Sequence, residues 1–136
     1  MSDLSHISAE EASHNAYRVF LFTLEALASP PEDQCKLMGD FNTAWELRDD
    51  ALGGHYLIGS GLFTEQQETA VLKFLLAIDP VPVNDMPSGA GRSVNLAAMQ
   101  HPAWEPIRGM ARHLVTMLEP VTQANLAYFQ GLANAP

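Results

Sequence analysis

The chain has 136 residues, 47% of them hydrophobic and 17% charged, and its 16 acidic against 7 basic side chains leave a formal net charge of −9. That is the length of one ordinary domain, with enough apolar mass for a core and a composition that excludes disorder over most of the chain. The acidic balance argues against nucleic-acid backbones and anionic membranes as partners, and it favours encounter with a basic protein.

Residues 1–7 read as a loose lead-in. Ser8 and Glu11 form a capping box that starts a helix over 9–28. Ser13, Ala16, Tyr17, Phe20, Leu24 and Leu27 make its inner stripe, and Glu11, His14, Arg18 and Glu25 a polar strip opposite, with Phe22 beside that strip. Ser29-Pro30-Pro31 breaks the chain, and Pro31 suits the first turn of a second helix because no donor is needed there. This helix is expected over 31–52, stopped by a left-handed cap at Gly53-Gly54. Met38, Phe41, Trp45 and Leu52 line its inner stripe, while Glu32, Asp40, Glu46 and Asp50 lie outside with Leu47 at their centre. An acidic face with one apolar residue in its middle has the character of a docking surface for a basic protein.

The segment 55–61 reads as a packed connector. Its Gly59-Ser60-Gly61 has neither the lysine nor the preceding strand of a phosphate-binding loop. Thr64 and Gln67 then form a second capping box, opening a helix over 64–78 that Asp79-Pro80 ends. Val71, Phe74, Leu75 and Ile78 fall on one side of it and Leu72 and Leu76 on the other. This pattern predicts a central helix packed on two sides. Residues 79–92 hold three prolines and two glycines and predict a long loop, a candidate binding loop or lid. A short helix over 94–99 capped by Ser93 follows, then one over 103–118 and a last one over 121–132 after the Glu119-Pro120 break. Asn125 falls near the inner stripe of the last helix and needs hydrogen-bond partners there.

Little here spells out chemistry. The five histidines, His6, His14, His55, His101 and His113, show no metal-ligand spacing, so no metal or cofactor is expected. Cys35 is the sole cysteine, which rules out an internal disulfide and fits a reducing compartment. It lies beside Lys36 near a helix start, but no catalytic signature surrounds it. Asp49 and Asp50 are adjacent on a helix, so their side chains diverge by about 100° and do not share a site. Arg92, Arg108 and Arg112 form a candidate anion clamp with the 79–92 loop, against the plainer reading that they pair with Glu105 and other acids of the chain.

No run of about 18 apolar residues and no basic-then-apolar leader is present, so no membrane span and a cytoplasmic location are expected. The expected fold is an all-α single domain of five to six helices, with the 64–78 helix sandwiched between those at 9–28, 31–52 and 103–118. The first functional expectation is a non-enzymatic acidic protein-binding domain for a basic partner, such as an inhibitor, an immunity protein or an effector chaperone. The alternatives are a small-anion site or enzyme at Arg92, Arg108 and Arg112, and a structural homo-oligomer that buries Phe22.

Overall fold

The helices that begin at Ala9 and Glu65 each start where a side chain takes up a free amide. Ser8 Oγ accepts from the Glu11 amide at 3.1 Å, and Thr64 Oγ1 accepts from Gln67 at 3.2 Å while the Gln67 side chain accepts from the Thr64 amide at 2.8 Å. These reciprocal bonds satisfy donors that the first turn leaves without intrahelical partners.

The computed structural model describes residues 8–134, so the lead-in expected at 1–7 lies outside the described residues. The chain is all-helical: α1 (Ala9–Ala28), α2 (Pro31–Met38), α3 (Thr43–Leu52), α4 (Glu65–Ile78), α5 (Arg92–Met99), α6 (Trp104–Met117) and α7 (Glu119–Ala133). Short 3₁₀ turns occupy Gly53–Leu57 and Val83–Asp85. Among the described residues seven helices stand where five to six were expected, because the 31–52 segment is split in two.

The helix at the centre is α1, not α4. α1 packs most extensively on α6 and also meets α2, α3, α7 and the first 3₁₀ turn. Tyr17, Phe20, Leu24 and Leu27 of α1 face Trp104, Ile107, Ala111 and Leu114 of α6, all buried. The two helices run antiparallel. At one end Arg112 Nη1 donates to the Ala28 carbonyl at 3.2 Å. At the other the Tyr17 hydroxyl reaches the Leu118 carbonyl at 3.4 Å and Thr122 Oγ1 at 2.7 Å. Burial pushes the Tyr17 phenol above its ordinary pKa.

α4 is covered on one side only. Val71, Phe74, Leu75 and Ile78 are buried, but Leu76 is 72% exposed and Leu72 is half-buried. The expectation of a two-sided central helix is therefore corrected. The helices available to cover α4 are α6 and α3, and both lie against the Phe74 side of the core.

Two further corrections concern the connections. Gly53 has right-handed geometry (φ −59°), so α3 runs on into a 3₁₀ turn instead of ending in a left-handed cap. Gly54 in that turn lies against the Phe20 ring, and an added Cβ would sit 2.5 Å from Phe20 Cε1. The 79–92 loop is no free lid: Val81, Val83 and Met86 are buried and tie it to the core, and α5 begins at Arg92.

α1, α4 and α5 carry no basic residue in their last turns. Arginines from other helices meet their free carbonyls instead. Arg48 donates to the Asp79 carbonyl from Nε at 3.0 Å and Nη2 at 2.6 Å, Arg112 serves Ala28 at the end of α1, and Arg108 serves Met99 at the end of α5. A cation at a helix C-terminus contributes roughly 0.3–1 kcal/mol besides satisfying the carbonyl.

Candidate partner-binding surface

α2 ends at Gly39, whose φ of 84° only glycine adopts without strain. Asp40 follows at φ 57°, the sole positive-φ residue other than glycine among the described residues. Asn42, at φ −148°, opens α3. This break resets the helical phase.

The turn is held from behind by the start of α5. The Gly91 amide donates to the Asp40 carbonyl at 2.9 Å. Arg92 clasps the Asp40 carboxylate with Nε at 2.6 Å and Nη2 at 2.8 Å. That pairing holds the Asp40 carboxyl below its usual range and the guanidinium above its own. Asn95 completes the clamp: its Oδ1 accepts from the Thr43 amide at 2.8 Å, and its Nδ2 donates to the Gly91 and Gly89 carbonyls at 2.7 and 3.0 Å. None of these bonds uses Phe41 or Trp45, which project outward at 70% and 47% exposure.

The phase reset overturns the facing expected for this segment. Thr43, Ala44, Leu47 and Ala51 are the buried residues of α3, and Leu47 is fully buried. Phe41 and Trp45, expected inside, are outside. A count of seven residues from Met38 to Trp45 keeps one face only if the helix is continuous; the left-handed pair at Gly39-Asp40 breaks that count.

The predicted acids are distributed unevenly. Glu32 and Asp50 are exposed and Glu46 is half-buried. Asp40 is engaged by Arg92 and is not a free acid. One carboxylate oxygen of Glu46, Oε1, is buried without a hydrogen-bond partner among the described residues. Desolvation raises the Asp50 carboxyl pKa, and the neighbouring charges of Asp49 and Glu46 add to the rise. Asp33 and Asp49 are also exposed, so α2 and α3 carry exposed acids as well as the outward aromatics. Sequence spacing marked the acids but missed the exposure of Phe41 and Trp45.

The proposed anion clamp does not assemble. Arg92 is paired with Asp40. Arg108 is 6% exposed and spans Met99, Gln34 Oε1 at 3.4 Å and Glu105 at 3.4 Å, and its burial lowers its pKa. Arg112 is bound to the end of α1. Each guanidinium is spent on a different internal partner.

Cys35 is fully buried, and desolvation followed by the nearby Asp40 charge raises its thiol pKa, the opposite of an activated nucleophile. His14, expected on an exposed strip, is 6% exposed because α7 covers the start of α1. It stacks on Tyr128 with centroids 4.1 Å apart, and Asn125 Nδ2 lies 3.0 Å from its Nδ1 and donates to its carbonyl at 2.9 Å. His101 Nδ1 accepts from the Ala103 amide at 3.0 Å at the start of α6. No group of three His, Cys, Asp or Glu is placed to hold a metal ion among the described residues, and among them no helix is long and apolar enough to cross a membrane. Compared with protein families, curated proteins and solved structures, the chain matches none.

Proposed function

We propose that this domain binds a basic protein partner through the corner between α2 and α3, in the manner of an inhibitor or a dedicated chaperone and without catalysing a reaction. The observation that carries the reading is the outward display of Phe41 and Trp45 on a turn held from behind by Arg92 and Asn95. Exposed aromatics on a rigid frame bind with little ordering cost, and tryptophan is enriched among residues that dominate binding energy. Glu32, Asp33, Asp49 and Asp50 are exposed on the same two helices with Lys36 among them, and this excess of acid speeds encounter with a basic surface.

The test is site-specific crosslinking in the native host. A photoreactive phenylalanine analogue replaces Phe41 in one variant and Leu76, an exposed residue of α4, in a control. The reading expects a single basic protein captured from position 41 and not from 76. With that protein purified, Trp45→Ala weakens binding about 30-fold, the equivalent of a 2 kcal/mol anchor. A second copy of the chain captured at position 41, or unchanged affinity in a Phe41→Ser, Trp45→Ser double variant, defeats it.

A further inference from the structure

α4 and α6 part along the surface to leave a groove of about 890 Å³. Its floor is apolar, formed by Ala70, Met110, Leu114 and Met117. The helices run antiparallel here. Phe63, just before α4, lies 6.2 Å from the Tyr17 ring, whose hydroxyl reaches Leu118 at the end of α6. Glu65 therefore marks the end of the groove near Met117, and Lys73 marks the end toward Pro106 and Gly109. Eight residues of helix set the two charges about 12 Å apart along the axis.

Three features suit this groove to a ligand. Its volume falls within the range that encloses a small molecule, roughly 300–1,000 Å³. Gly109 sits in the interior of α6, where glycine weakens a helix, yet an added Cβ would meet nothing within 4 Å. No neighbour requires the glycine, and its missing side chain keeps the groove open. Lys73 is the third feature. In a chain of 16 acids its ammonium has no ion pair or hydrogen bond among the described residues, whereas Arg48, Arg92 and Arg108 are each paired.

We propose that the groove binds a small apolar carboxylate, with the acid on Lys73 and the apolar body laid over Met110, Leu114 and Met117. His113, also lining the groove, adds a hydrogen-bonding ring along its wall. The two methionines give the floor an adaptable surface that accepts acyl or aryl bodies. The net charge of −9 opposes anions at long range, but salt screens that field beyond about 8 Å, so contact with Lys73 governs affinity.

The probe is decanoate, titrated into ¹⁵N-labelled protein with decanol as the uncharged control. Decanoate is expected to shift amides of residues 65–73 and 106–117 and to bind at least tenfold tighter than decanol. Lys73→Met removes that tenfold preference while leaving decanol binding unchanged. Gly109→Leu blocks both ligands and leaves the melting temperature equal to or above that of the parent. Amide shifts confined to other surfaces, equal binding of the two probes, or undiminished decanoate binding by the Gly109→Leu variant overturns the assignment. Trp45→Ala serves as a control that leaves this groove intact.

Discussion

The inversion of Leu47 and Trp45 lends itself to a paired substitution. Leu47 is fully buried on the inner face of α3, between Ala44 and Ala51. Leu47→Ala removes the equivalent of three methylene groups, worth about 2.4 kcal/mol in transfer free energy. The space left behind adds a cavity term, because two small alanines flank the site and have little side chain with which to fill it; measured losses for such substitutions run about 2.7–5 kcal/mol. We expect about 3 kcal/mol, a large part of the 5–15 kcal/mol that holds a typical domain together. Trp45→Ala, at 47% exposure, should alter stability by no more than about 0.5–1 kcal/mol despite the larger side chain. Urea unfolding followed by far-ultraviolet circular dichroism measures both. A loss below about 1 kcal/mol for Leu47→Ala, or equal losses for the two variants, would mean that α3 presents the face expected from an unbroken helix.

Arg108→Met leaves the Met99 carbonyl and Gln34 Oε1 without their shared donor in a buried site; a loss of about 3 kcal/mol is expected, with faster amide exchange at the end of α5, and unchanged exchange there would refute the capping role. Asp50→Asn should raise stability by about 0.3 kcal/mol at neutral pH. The folded carboxyl binds its proton more tightly than the unfolded one, so the parent regains stability as pH falls through the raised pKa toward the unfolded value near about 3.9. Melting curves at neutral and acid pH should therefore converge, and an advantage that persists at low pH contradicts the assigned cause. Gly54→Ala drives a methyl to 2.5 Å from the buried Phe20 ring, with an expected loss of about 1–3 kcal/mol; a melting temperature equal to the parent's would show that the ring yields freely.

Helix starts and stops were readable from the chain because they act over a few residues. Ser8 with Glu11, Thr64 with Gln67, and Asp79-Pro80 each work through partners within one turn, and their helices appear where the spacing places them. The all-helical class followed from the same local signals. The choice of which face each helix buries was settled only in three dimensions. One left-handed pair at Gly39-Asp40 turned Leu47 inward and Trp45 outward, and the number of helices beside α4 left Leu76 uncovered. Arg112 found the end of α1 84 residues away, and Asn125 found His14 111 residues away. Periodicity reports that a helix has an apolar side. The partner that covers it depends on how the connecting turns direct the chain, and the contacts that fix those turns lie far apart in sequence.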